Sequence, residues 1–304
     1  MEIDVKTYIG IDGGATKTAL VASGADRKII AEIETSGSSW REIGFENVAG
    51  LIADTINKLG CDSICGIAAG MPYYGESTEG DLVLVNELKK ALPGIPLYIT
   101  NDVEVGWAGA FSLKPGIHQV AGTGSIAYGV DSHGTSVRCG GWDYFYSDEG
   151  SAYWIARRGM ELFSKQSDGR LPDGPLLHIV REEYNLKNDI DFIDYLIKHY
   201  GTDRKGRAAF QLMVKKAALE GDYDACNIYI DAAEELFLMA NSVRLQLDLP
   251  ASGWKVSYSG GVFKSGELIL DPLRTLVEAS GGILCEPENS PVVGALLLAI
   301  DKFS

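Results

Sequence analysis

Residues 10–18 read GIDGGATKT and place one carboxylate, Asp12, directly before two glycines and a run of small hydroxylated residues. A turn of that composition exposes backbone N–H groups to an anion, and a carboxylate at the end of the preceding strand can hold a metal ion beside it. The stretch therefore suits metal-bound phosphates, and it suits an ordinary hairpin equally. A second glycine turn, GTGS, occupies residues 122–125. The missing side chains at Gly122 and Gly124 let the backbone approach an anion, although in isolation this too is a common turn. Asp102 sits just past a strand and at the start of a helix, where the helix dipole keeps a carboxylate ionised; by itself it also reads as a helix cap. Asp148 and Glu149, an acidic pair before Gly-Ser, could accept hydrogen bonds from a ligand or could cap the helix at 153–157.

The elements that must position these residues are legible as periodicities. Alternating apolar residues over 6–34 predict three short strands in an antiparallel meander. Phe45, Val48, Leu51, Ile52, Thr55, Ile56 and Leu59 have helical spacing. A strand at 63–69 follows, then a loop at 70–80, a helix through Leu82, Val85, Leu88 and Leu92, a strand at 96–100, and a helix ending near Leu113. After the breaker Lys114-Pro115-Gly116 the order begins again, with strands at 118–121, 127–130 and 135–138. Residues 151–247 read almost entirely as helix. The last helical segment, from Ala225, is apolar on several sides and is expected to be buried. A strand at 255–258 runs into Ser259-Gly260-Gly261. A helix from Glu267, a strand at 282–285 and a helix at 291–300, with Pro291 in its first turn, complete the chain.

The chain has 304 residues, enough for two cores, and 46% of it is hydrophobic. A formal net charge of -15 disfavours nucleic acid and anionic membranes, and no run of Lys and Arg offsets it. Five cysteines without CxxC pairs fit a reduced compartment better than a disulfide framework. With no signal peptide pattern and no bilayer-length apolar run, the expectation is a soluble cytoplasmic protein.

Two βββαβα units, each with a glycine turn after its first strand, resemble the actin, hexokinase and Hsp70 superfamily. GIDGGATKT looks like its first phosphate segment and GTGS like its second. NDVEVGWAGA (101–110) and PVVGALLLA (291–299) look like its connecting segments, and SGGVFKS (259–265) like its adenosine segment. CGGWDYFYSDEGSAYWIARRG (139–159) is similar to the signature of N-acetylglucosamine kinases within the BadF/BadG/BcrA/BcrD ATPase group. The resemblance implies an α/β fold of two ribonuclease H-like (actin-like ATPase) domains with a nucleotide cleft between them. The first would be 1–115, completed by the helix at 291–304. The second would be 116–290, with a helical insertion at about 151–247.

The same resemblance implies ATP and Mg2+, with the γ-phosphoryl group passing to the 6-hydroxyl of N-acetylglucosamine or N-acetylmuramic acid. Asp102 would be the catalytic base, accepting the proton of a hydroxyl that is otherwise a poor nucleophile. Asp12 would hold magnesium through water. Gly13, Gly14, Thr16 and Lys17 would face the phosphates, as would Gly122, Thr123 and Gly124 opposite; Lys17 equally suits a solvated hairpin position. Gly260, Gly261, Lys264 and Ala218 would lie on the adenosine side. Asp148 would accept hydrogen bonds from sugar hydroxyls, each worth about 1.5–3 kcal/mol net. Gly141, Trp142, Asp143, Ser125 and Ile126 would line the sugar, Trp142 being equally suited to a core. A homodimer is also implied.

The chain departs from the pattern in two places. Where the family carries a sugar-contacting asparagine, it reads TSGSSWREIG with Ser38 and Ser39, and position 126 is Ile126 rather than a polar residue. Both changes remove hydrogen-bonding contacts and leave glucosamine as an alternative acceptor. Arg41 could meet the lactyl carboxylate of N-acetylmuramic acid or simply be an exposed helix-start residue. The loop at 71–76, with Tyr73 and Tyr74, could shape the pocket. An ATP-driven activator of a dehydratase is a rival from another class, but the scattered cysteines do not suit its iron-sulfur cluster. A sugar-sensing regulator would need a DNA-binding extension.

Overall fold

The computed structural model describes residues 6–304. By its contacts the chain divides into two units, one running up to Gly116 and resuming at Glu286–Ser304, the other spanning Ile117–Cys285.

In the first unit, β1 (Thr7–Gly13), β2 (Lys17–Ser23) and β3 (Ile29–Ser36) are followed by α1 (Trp40–Ile43) and α2 (Phe45–Leu59). Then come β4 (Ile64–Met71), α3 (Thr78–Ala91), β5 (Leu97–Asn101) and α4 (Asp102–Phe111). The sheet order is β3-β2-β1-β4-β5. The first three strands pair antiparallel, while β4 and β5 add in parallel. Strands β1 and β4 are buried along most of their length, as parallel strands covered on both faces must be. Edge strand β3 instead alternates, with Glu32 and Glu34 in solvent, which guards the open edge. Helices α2 and α3 bury Val48, Ile52, Ile56, Leu84 and Leu88 in one core with Ile9, Ile11 and Ile67.

The second unit opens with β6 (Gly116–Ala121), β7 (Ser125–Val130) and β8 (Ser136–Gly140). Six helices follow: α5 (Ala152–Ser167), α6 (Pro175–Glu183), α7 (Asp191–His199), α8 (Arg204–Ala208), α9 (Gln211–Leu219) and α10 (Tyr223–Gln246). Strand β9 (Lys255–Ser259), a 3-10 turn (Gly261–Ser265), α11 (Glu267–Ala279) and β10 (Ile283–Cys285) finish it. Its order, β8-β7-β6-β9-β10, repeats that of the first sheet element for element. Two α/β units of the same topology are thus built from dissimilar sequences.

The last helix, α12 (Pro291–Phe303), returns to the first unit and packs on β1, β4 and α4. The return begins before the helix does, because the N–H groups of Glu288 and Asn289 donate to the carbonyls of Ala110 and Gly109, both at 3.0 Å. One expectation is corrected. Helix α10 buries Ile228, Ala232, Leu236, Ala240 and Val243 but leaves Ile230, Leu238 and Leu245 in solvent, so it is covered on one side only. Asp224, Asn227, Asp231, Glu234, Asn241 and Arg244 recur at steps of three, four or seven residues and were the local signal of this open side, masked by the apolar Ile230, Leu238 and Leu245 that share it.

Candidate active site

In the first unit the chemistry gathers at the carboxyl ends of parallel strands, where open α/β sheets bind ligands. Asp12 pairs in register with Gly70 of β4, and Met71 with Asn101 of β5. Asp12 and Asp102 therefore leave the same edge of the sheet, two interstrand spacings or about 9.6 Å of backbone apart. Asn101 is the N-cap of α4: its Oδ1 accepts the Glu104 N–H at 2.7 Å. Asp102 occupies the first helical position, where its own N–H and that of Val103 donate to its carboxylate. The alternative of Asp102 as a cap is thereby removed.

Close packing desolvates the Asp102 carboxyl, and together with the negative charge of Asp12 this pushes it up to about 7, even though water reaches the side chain. Asp12, half-buried, is raised to about 6 by burial, partly opposed by Lys17. Two carboxylates that are costly to ionise and short of a cation suit Mg2+, which keeps most of its waters and needs only one or two carboxylates. No cluster of three or more His, Cys, Asp or Glu side chains that could hold a metal ion occurs among the described residues.

The first turn closes through Gly14 N–H to the Lys17 carbonyl at 3.0 Å. Ser38 N–H donates to the Gly14 carbonyl at 3.0 Å, tying the loop after β3 to this turn. Ser38 and Ser39 are buried, and neither Oγ has a hydrogen-bond partner. Buried hydroxyls in that state are rare and point to a ligand or water. Thr16 lies exposed on the turn. Lys17 is turned to β3, with Nζ 2.6 Å from Glu34. Arg41 pairs with Glu76 at 2.9 Å and lies over Tyr73, 4.1 Å from the ring centroid.

In the second unit the phosphate-type turn and the signature stretch are one structure. Gly122 O accepts the Ala152 N–H at 2.8 Å, Ser125 Oγ donates to the Glu149 carbonyl at 2.6 Å, and Ser125 N–H donates to the Asp148 carboxylate. Thr123 lies half-buried between the two glycines. A Cβ on Gly124 would stand 2.6 Å from Asp148 Oδ2, so only glycine fits there. Gly260, at φ +113°, brings the next segment against the carbonyl of Ala121 in the same way. The capping alternative for the acidic pair fails, because Ser151 caps α5, its Oγ accepting the Trp154 N–H at 3.2 Å. Asp148 instead takes the Ser125 N–H and the Arg204 guanidinium on its carboxylate. It is buried in a left-handed conformation at φ +57°, a strain that sites of function tolerate. Burial pushes its carboxyl up, opposed first by Arg204 and then by the Ser125 N–H.

The remaining residues spread out. Trp142 is 64% exposed, which excludes the core alternative. Gly141 and Ile126 pack on each other, with a Cβ on Gly141 falling 2.9 Å from Ile126 Cδ1. Asp143 is exposed at φ +100° and takes the Phe145 N–H on Oδ1 at 3.0 Å. Gly261 and Lys264 are exposed on the 3-10 turn, whereas Ala218 is packed into the helical core. A surface cavity of about 300 Å³ lined by Gly44, Phe45, Asn47, Val83 and Glu87 contains none of these residues. Sequence reasoning missed Arg204, whose pairing with Asp148 spans 56 positions. The Asp203 cap that starts its helix was the available signal.

A family model for the BadF/BadG/BcrA/BcrD ATPases matches residues 9–299. The chain belongs to this family. As a BadF/BadG/BcrA/BcrD ATPase it uses ATP, and its fold is that of the actin-like sugar kinases. A Clostridium acetobutylicum N-acetylmuramic acid/N-acetylglucosamine kinase is 29% identical over 311 residues, covering 97% of this chain and 98% of the relative. A Dictyostelium discoideum N-acetyl-D-glucosamine kinase is 28% identical, with the same coverage. Among solved structures, one from Chromobacterium violaceum superposes with a TM-score of 0.77 at 24% identity, covering 97% of this chain and 99% of that one. A Streptomyces griseus ROK family glucokinase in complex with glucose and AMPPNP gives 0.58 at 16%, with the same coverage. These two show the fold.

Proposed function

We propose that this family member is an ATP-dependent kinase that phosphorylates the 6-hydroxyl of an N-acetylated amino sugar, N-acetylglucosamine or N-acetylmuramic acid. The observation that carries the reading is the carboxylate of Asp102, released from capping by Asn101 and set on the same sheet edge as Asp12. The names of the two curated relatives supply the acceptor.

Asp102 orients the sugar hydroxyl and takes its proton as the oxygen bonds to the γ-phosphorus; the β–γ bridging bond breaks and ADP leaves. Asp12 would hold Mg2+, which would supply positive charge against the phosphate oxygens. The turn of Gly13, Gly14 and Thr16 and the turn of Gly122, Thr123 and Gly124 are both assigned to the phosphates. Lys17 would join by leaving Glu34, a cheap step because exposed pairs are worth little. Gly260, Gly261 and Lys264 take the adenosine side, with Ala218 supplying packing beneath it. Asp148 and Ser125 receive the sugar, together with Ser38 and Ser39, while Trp142, Asp143, Gly141 and Ile126 wall it. The working form in this reading is a cytoplasmic homodimer, checked by light scattering.

A coupled assay for ADP over N-acetylglucosamine, N-acetylmuramic acid, glucosamine, N-acetylmannosamine and glucose tests the acceptor. Turnover of an N-acetylated sugar well above the others is expected. Turnover of glucosamine alone would replace the reading, and so would a brown protein with iron-sulfur absorbance and no sugar turnover.

A further inference from the structure

Tyr229 of α10 lies in a stretch that carries no motif, fully buried among the apolar side chains of the second unit's core. Its hydroxyl donates to Gln211 Oε1 at 3.0 Å and accepts from Ser265 Oγ at 3.2 Å. Burial pushes that hydroxyl up to about 12, so it keeps the proton it donates. Gln211 opens α9, and Ser265 closes the 3-10 turn that carries the adenosine-type segment. A second bond joins the same two pieces: Lys215 Nζ donates to the Lys264 carbonyl at 2.8 Å. Gln211, Lys215 and Ala218 follow one another at i, i+4 and i+7, so one face of α9 carries both bonds and the alanine assigned to the adenosine side.

The turn is divided in the same sense. Val262, Phe263 and Ser265 are buried, while Gly261 and Lys264 are exposed. Packing at position 229 would be served by phenylalanine, since a phenolic hydroxyl taken out of water costs stability unless it is partnered. Here the hydroxyl is partnered on both sides, by residues 18 and 36 positions away on the two segments that would flank a nucleoside. A fully satisfied buried polar group of this kind fixes a geometry more than it adds stability. What it fixes is the placement of the adenosine-type turn against α9.

We propose that Tyr229 is a positioning residue for the nucleotide: by tying Ser265 to Gln211 it sets the spacing between the turn of Gly260, Gly261 and Lys264 and the α9 face that carries Ala218. It is shut off from solvent and acts through the two segments it joins. The inference rests on the reading of those segments as the adenosine side.

The test compares the full chain with Tyr229→Phe, Ser265→Ala, the two together, and Gly261→Val, whose Cβ would have nothing of the protein within 4 Å. The readouts are the KM for ATP and for sugar, kcat, Tm, and calorimetric binding of ADP, which needs no acceptor and so survives a failure of the kinase reading. Tyr229→Phe and Ser265→Ala should each raise the KM for ATP and the Kd for ADP by about 3- to 10-fold, the size of one hydrogen bond, with the loss falling on neither kcat nor the KM for sugar. The double variant should add little to either single one, because both remove the same link. A lower Tm with nucleotide KM and Kd unchanged would mean that Tyr229 serves the core alone and would overturn the proposal, as would equal losses on ATP and sugar. Weaker ADP binding in Gly261→Val with none in Tyr229→Phe would sink the role of Tyr229 and leave the adenosine assignment standing. No change in either variant would sink both.

Discussion

Asn101 Oδ1 accepts the backbone N–H of Glu104 at 2.7 Å, and this bond separates two adjacent residues into a structural one and a chemical one. Capping by Asn101 leaves the Asp102 carboxylate for a substrate. Asp102→Asn should therefore lower kcat by about 10²- to 10⁴-fold, the usual contribution of a general base, while sugar affinity stays near wild type. Asn101→Ala should instead lower stability by about 1 kcal/mol, read by denaturant unfolding.

The pH dependence has a definite sign. A base must be deprotonated, and Asp102 is raised to about 7 by burial first and by Asp12 second, so kcat/KM should climb as pH rises through about 7. Asp12→Asn removes the neighbouring charge and should move that limb to lower pH, although it also weakens the metal. A pH–rate profile with a limb near 4 in the wild type would contradict the assignment.

Stability follows the opposite course. A carboxyl whose folded value lies above the ordinary aspartate value of 3.8 binds protons better in the folded state. Its contribution is therefore favourable at low pH and is lost as pH rises from about 4 to 7. Asp102→Asn should raise Tm above pH 7 and give a smaller gain at pH 5, by differential scanning calorimetry.

Asp148→Asn should raise the KM for sugar about tenfold or more, the worth of one charge-assisted bond, with little change in the KM for ATP. Arg204 would remain beside a neutral amide, so some loss of stability should accompany it.

Gly124→Ala offers a sharper test of how the second unit is built. Its Cβ would fall 2.6 Å from both Asp148 Oδ2 and Arg204 Nη2. A defect in a phosphate-type turn should then appear in the KM for sugar as well as for ATP. A defect confined to ATP would show that the two turns are not coupled.

The sequence alone determined the order of elements and the identity of the glycine turns, because hydrophobic period and glycine placement are local properties. The internal duplication was legible for the same reason. So was the position of Asp102, since a strand ending in Asn-Asp before an apolar helix is a local pattern. Only the tertiary structure decided which of Asn101 and Asp102 caps, that Ser151 rather than Asp148 starts α5, and that Trp142 is exposed. It alone brought Arg204 to Asp148 and fastened Ser125 to Glu149, pairs separated by 56 and 24 residues. Hydrogen bonds and ion pairs between distant residues leave no periodicity in the chain. They exist only once burial has fixed the backbones that carry them.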